Sequence, residues 1–177
     1  MPKSTPSKLT IKYKSSVVFV ILFFIIIIDQ LTKIWAVSSL MGTSSRPYLN
    51  GLFQFVYAEN PGAFLGLGGS LPHSVRFVIF AVLVVLGLGG MLWYILKNES
   101  SKVSLIAYSF ILAGGFGNLW DRVAHENGHV VDFMLIEVVG PIRTGVFNVA
   151  DVSIVAGVLL VLLGEYYLDS RKVKIAK

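Results

Sequence analysis

The sequence predicts an all-α membrane protein: four transmembrane helices with both termini in the cytoplasm. Three observations carry this. Hydrophobic residues make up 55% of the 177 residues and charged residues only 14%, against about 45–50% and about 25% in soluble domains. Four apolar stretches are long enough to cross a bilayer, which takes a helix of roughly 20 residues. Lys and Arg are also unevenly spread along the chain, and cytoplasmic loops carry the excess of such residues. A soluble globule of this length has too little interior to hide so much apolar surface, and disorder demands the opposite composition. Cysteine is absent, which excludes a disulfide framework, a thiol nucleophile and cysteine-ligated metal.

The first span covers residues 17–36 and contains Asp29, Gln30 and Lys33. The second covers 75–96, the third 103–123 and the fourth 146–168. A basic tail with Lys3, Lys8, Lys12 and Lys14 precedes the first span; residues 1–14 read as a flexible tail. Lys97 and Lys102 lie between the second and third spans, and Arg171, Lys172, Lys174 and Lys177 follow the fourth. The opposite loops and span ends hold only Arg46, Arg76, Arg122 and Arg143. The net charge of +5 is therefore topological and suits anionic lipid rather than nucleic acid. A basic start, an apolar run over 17–28 and small residues at Ala36 and Ser38 also resemble a cleavable signal peptide. Asp29 and Lys33 interrupt that pattern and favour a retained span.

The two outer loops cover residues 37–74 and 124–145. Residues 49–57 mix aromatic and β-branched side chains and read as strand. Gly62, Gly66, Gly68 and Gly69 follow as a flexible, close-packing segment.

Charge at membrane depth costs about 2.5–3.5 kcal/mol per residue, so such groups are paired and often functional. Asp29 and Lys33 are four apart, which places them on one helix face as an ion pair. Ala113 and Gly117, also four apart, allow close helix approach. Asn118, Asp121 and Arg122 share a face at the outer end of the third span. Their reading is open between an interfacial cap and a site. Asp132 sits among Val130, Val131 and Phe133, a poor setting for a solvated charge. Asn148 suits an N-cap, with Asp151 three residues later in the first turn of the fourth span. The helix dipole favours an ionised Asp151, whereas Asp132 more readily keeps a proton. Two carboxylates in a water-poor site do not both ionise easily. Such a pair can activate water, the ionised member as base and the protonated one as donor to the carbonyl under attack. Asp151 as a mere helix cap is the alternative.

Taken together, Asp29-Gln30-Leu31-Thr32-Lys33, Asn60-Pro61-Gly62-Ala63, Gly114-Gly115-Phe116-Gly117-Asn118-Leu119-Trp120-Asp121-Arg122, Val130-Val131-Asp132-Phe133 and Phe147-Asn148-Val149-Ala150-Asp151 resemble the motifs of bacterial lipoprotein signal peptidase (signal peptidase II). Each motif alone is weak; five in order over most of the chain are specific. The resemblance implies an intramembrane aspartic peptidase of the bacterial inner membrane, a monomer whose active site lies at the extracytoplasmic face beside a small β-rich cradle. It would cut prolipoproteins on the N-terminal side of a diacylglyceryl-modified cysteine, with no cofactor and no metal. Asp132 and Asp151 would be catalytic; Asn60, Gly62, Asn118, Asp121, Arg122 and Asn148 would position dyad and substrate; Asp29 and Lys33 would support them. Two departures stand out. Phe64 replaces a usual Ala, and residues 123–127 lengthen the approach to Val130.

Two other readings compete. His125, Glu126 and His129 match H-E-x-x-H, which on a helix binds zinc with the Glu as base. Asn127-Gly128 is a turn signal that opposes the helix, and no third His follows. The remaining reading is a non-enzymatic membrane scaffold, which four spans and buried charges also permit.

Overall fold

The chain is described from a computed structural model, which covers residues 9–62, 68–98, 101–139 and 142–175. Phe64, Ala63, Gly66, the first eight residues and Lys177 lie outside them.

Helix α1 runs Ile11–Leu40. Thr10 caps it, its hydroxyl accepting from the Tyr13 amide at 3.2 Å, and satisfies one of the unpaired N–H groups of the first turn. Its 30 residues extend about 45 Å, beyond the roughly 30 Å hydrocarbon layer. The helix is thus longer at both ends than the 17–36 span, and the basic tail does not stay flexible to residue 14. Lys14 is buried, and its ammonium donates to the Ile95 carbonyl at 3.0 Å and to the Asn98 carbonyl. A lysine here finds the unpaired carbonyls that end the neighbouring helix.

The second membrane helix is continuous over Ser74–Lys97. It is built from α2 (His73–Phe77), a π-helical stretch (Val78–Leu83) and α3 (Val84–Lys97). Helix α4 runs Lys102–Ala124, with Ser101 accepting from the Ser104 amide at 3.0 Å. Helix α5 runs Val149–Ile175. Among the described residues, Ile11–Leu40, Ser74–Lys97 and Lys102–Ala124 are long and apolar enough to cross a membrane, and Val149–Gly164 is a shorter apolar stretch. Phe19, Phe24, Leu31, Ile34, Leu86 and Trp93 point outward. Exposed apolar surface on this scale suits lipid and would be an association liability in water.

Helix α4 is the central element, packing against α1, α3 and α5. Small residues let it meet α5 closely. A Cβ built on Gly114 would fall 2.2 Å from the Ala150 carbonyl oxygen, and one on Gly157 would fall 2.6 Å from that of Ala107. Among the described glycines the tightest approach is at Gly114, beside the fully buried Ala113. Gly117 lies against the Asp29 carboxylate and the Ala150 methyl.

A four-stranded antiparallel sheet caps one end, in the order β1 (Arg46–Tyr48), β2 (Phe53–Asn60), β3 (Val130–Val139) and β4 (Ile142–Arg143). The expected strand over 49–57 is displaced. Leu49, Asn50 and Gly51 form a tight turn with φ of 52°, 56° and 89°, so pairing restarts at Phe53. β2 and β3 pair Asn60 with Val130 and Ala58 with Asp132, with an irregularity after Phe55. The sheet rests on the end of α1: Ala36, Leu40, Val131 and Phe133 form one buried cluster, and Trp35 meets Phe55 edge-on at 5.1 Å. A second core, including Val18, Leu88, Ile95, Leu105 and Leu112, fills the space between the helices.

Candidate active site

Two carboxylates arrive from different elements. Asp132 lies on β3 and is 2% exposed. Asp151 lies in the first turn of α5. Between them stands Asn148, fully buried. Its side-chain amide donates to Asp132 Oδ1 at 2.7 Å, while its backbone amide donates to Asp151 Oδ2 at 3.1 Å. Its Oδ1 accepts from the Asp151 amide at 2.9 Å. This is a reciprocal cap, the geometry that the three-residue spacing predicts. The capping residue thus does two jobs, closing the start of α5 and tying Asp151 to Asp132.

Each carboxylate has a second amide partner. Asn60, at the end of β2, donates to Asp132 Oδ2 at 3.1 Å. Asn118, on α4, donates to Asp151 Oδ1 at 2.8 Å and accepts from Asn148 at 2.9 Å. The carboxyl of Asp132 is pushed up from its ordinary value to about 7, chiefly by burial and then by the negative Asp151. Hydrogen bonds from Asn60 and Asn148 and the charge of Lys33 oppose the rise. Asp132 is therefore the member suited to hold a proton near neutral pH.

Arg122 closes one side. Its guanidinium donates to the Gly62 carbonyl at 2.6 Å and to that of Asn118 at 3.1 Å, and lies 5.6 Å from the centre of the Phe80 ring. Its Nε is buried with no acceptor among the described residues. Beside it opens a cleft lined by Pro61, Arg76, Phe77, Phe80, Ala81 and Gly128, among others. The π-helical stretch supplies Phe80 and Ala81, and such local irregularities often occur at functional sites.

Beneath the dyad, Asp29, Lys33 and Asp121 are buried together. Lys33 Nζ lies 2.8 Å from Asp29 Oδ2 and 3.0 Å from Asp121 Oδ2, and it donates to Asn118 Oδ1 at 3.1 Å.

A family model described as signal peptidase (SPase) II matches residues 21–167. This chain belongs to the signal peptidase II family. The "Lipoprotein signal peptidase" of Clostridium novyi is 33% identical over 144 residues, covering 81% of this chain and 93% of that protein. The one from Bifidobacterium longum subsp. infantis is 38% identical over 143 residues, 78% of this chain and 72% of that protein. A solved structure described as "Bacterial membrane enzyme structure by the in meso method at 2.3 A resolution" has a TM-score of 0.73 at 26% identity, covering 89% of this chain and 92% of the other. The resemblance read from the five motifs is correct: the protein is a membrane peptidase of the lipoprotein-processing family.

In this chain every residue singled out from the sequence for the site, Asn60, Gly62, Asn118, Asp121, Arg122, Asp132, Asn148 and Asp151, falls in one connected network. Asp29 and Lys33 join it from below. The H-E-x-x-H segment does not form the helix a zinc site of that type requires. His125 ends α4 and residues 126–129 turn back, with Gly128 at φ 67°. His129 Nδ1 lies 3.0 Å from Glu59 Oε2, to which Asn127 also donates at 2.9 Å. The longer approach noted at residues 123–127 is thus the last turn of α4 and a turn fastened to β2. No cluster of three or more His, Cys, Asp or Glu fit to hold a metal exists among the described residues. Gln30 has a part in the site that the sequence motifs do not assign. Its amide donates to Asp121 at 2.9 Å and Asp29 at 3.1 Å. A polar residue inside an apolar span, beside an acid, was the signal for it.

Proposed function

We propose that this protein is an aspartic endopeptidase that removes signal peptides from diacylglyceryl-modified prolipoproteins, with Asp132 and Asp151 as the catalytic pair. The observation that carries the reading is the single buried Asn148, hydrogen-bonded to both carboxylates. Asp151, held by Asn118 and by the cap of α5, acts as base toward a water. Asp132, protonated near neutral pH, donates to the scissile carbonyl. The water oxygen adds to the carbonyl carbon as its proton passes to Asp151. In the collapse, Asp151 returns that proton to the departing amide nitrogen, the C–N bond breaks, and Asp132 recovers its own proton. Asn60 holds Asp132, and Arg122 offers its unused Nε–H at the cleft edge to a substrate carbonyl.

The fourth span is α5, and both termini face the cytoplasm. Lys14 against the end of α3, with Lys97 and Lys102 nearby, supports this sidedness. The sheet and dyad then face outward, at the inner membrane's extracytoplasmic surface. A monomer suffices, because both carboxylates come from one chain. The lipid on the substrate cysteine stays in the bilayer, where each buried CH₂ contributes about 0.8 kcal/mol to binding. The name of the relatives, lipoprotein signal peptidase, supports the substrate class.

The test is cleavage of a purified prolipoprotein, lipidated and unlipidated, by the wild type and by Asp132→Asn and Asp151→Asn. Turnover of the lipidated form alone, lost in both variants with insertion intact, is expected. Turnover retained by either variant refutes the dyad.

A further inference from the structure

The buried charges below the dyad are wired to it through the backbone. Asp29 Oδ1 accepts from the Ala150 amide at 2.9 Å, and Ala150 directly precedes Asp151. Asp121 Oδ2 accepts from the Val131 amide at 3.0 Å, and Val131 directly precedes Asp132. The two supporting carboxylates are themselves spanned twice. Lys33 lies within 3.0 Å of both, and the Gln30 amide donates to both, at 3.1 and 2.9 Å. Lys33 also reaches Asn118 Oδ1 at 3.1 Å, the residue whose amide holds Asp151.

We propose that Gln30 and Lys33 are positioning residues, a crossbar on α1 that sets the spacing of Asp132 and Asp151 through Asp121 and Asp29. This rests on the dyad reading above. The physical argument is one of cost. Two adjacent buried carboxylates repel and are stable only when a cation and donors saturate them. Their remaining acceptor sites are spent on two backbone amides, one beside each catalytic residue. A helix cap or a lipid-facing ion pair needs neither amide. Lys33 has a second effect, because its positive charge opposes the proton affinity of Asp132. The charged groups around Lys33 are Asp29 on its own helix, Asp121 and Arg122 on α4, Asp132 on β3 and Asp151 on α5. Among these described residues only Lys33 and Arg122 are cationic, so loss of Lys33 leaves four acids to one base.

The experiment measures kcat and KM against pH for cleavage of lipidated prolipoprotein, with a melting curve for each variant. Lys33→Met is expected to lower kcat about 100-fold, as a displacement near 1 Å does, with KM nearly unchanged. It moves the alkaline limb of the pH profile, set by Asp132, upward by about one unit, the scale of a lost neighbouring charge. Lys33→Arg keeps the charge and therefore the limbs, with reduced kcat. Gln30→Leu keeps every ion pair, so its limbs stay in place while kcat falls about tenfold or more, with its hydrogen bonds to Asp29 and Asp121 both lost. If Lys33→Met does not fold, Gln30→Leu and Lys33→Arg decide: wild-type kcat in Gln30→Leu, or shifted limbs in Lys33→Arg, overturns the crossbar. Asp132→Asn and Asp151→Asn run alongside. Their inactivity with wild-type behaviour in Gln30→Leu and Lys33→Met rejects the crossbar alone, whereas activity in either rejects the dyad and the crossbar together.

Discussion

Gly114→Ala adds one methyl group at the place where α4 touches the start of α5. Its Cβ would lie 2.2 Å from the Ala150 carbonyl oxygen and 2.7 Å from Ile154 Cγ1. Ordinary C···O contacts begin near 3.3 Å, so the helices must part by roughly 1 Å. Ala150 is the residue before Asp151, and its amide is held by Asp29. The motion therefore stretches the 2.8 Å bond between Asn118 and Asp151. Alanine improves helix propensity by about 1 kcal/mol, while overpacking costs about 1–3 kcal/mol. The net expectation is a modest loss of stability with a disproportionate loss of turnover, about 100-fold for a 1 Å displacement of a reacting group. Gly89→Ala is the control, since nothing lies within 4 Å of its new Cβ. The assay is the rate of prolipoprotein cleavage in detergent micelles, with a tryptophan-fluorescence melt of the same samples. A Gly114→Ala enzyme with wild-type kcat and an unchanged melting temperature refutes the claim that this contact holds Asp151 in place.

Four further outcomes follow from the same structure. The rise of the Asp132 carboxyl to about 7 makes its proton the limit on alkaline activity: kcat/KM measured from pH 5 to 9 falls above pH 7, tenfold per unit. The same shift bears on stability. Asp132 keeps its proton longer when folded than the unfolded value of 3.8 allows, so its contribution to stability declines as pH rises from about 4 to about 7. The full change is about 4 kcal/mol at 1.36 kcal/mol per unit, and chemical denaturation of Asp132→Asn across that range loses this part of the pH slope. Asn148→Ala removes the amide shared by both carboxylates and the cap of α5; kcat is expected to drop at least 100-fold and the melting temperature to fall, a cap alone contributing about 1 kcal/mol. Glu59 is held below the usual carboxylate range by its hydrogen bonds to Tyr57 and His129, yet the pair is part-exposed. His129→Gln is expected to cost less than about 1 kcal/mol and to leave cleavage intact, where a zinc mechanism through His129 predicts its loss.

Composition and charge were enough to determine a membrane protein with helices near 17–36, 75–96, 103–123 and 146–168, because apolar length and the cost of unpaired backbone in lipid leave few options. The motifs were enough to name the family, and the spacing of Asn148 and Asp151 was enough to forecast the cap, since both are local in sequence. What only the tertiary structure decided is non-local. The strand expected at 49–57 starts later because Leu49, Asn50 and Gly51 adopt left-handed backbone conformations, which interrupt an extended run whatever its β-propensity. Lys14, part of an apparently loose tail, is buried because the end of α3 offers it carbonyls from more than 80 residues away. Gln30 gains its purpose only when α4 brings Asp121 beside Asp29. Hydrophobic length along the chain reports where a segment sits in the bilayer; it carries no information on which face of one helix meets which face of another, and the carboxylates, amides and lysine of this site acquire their partners through that packing alone.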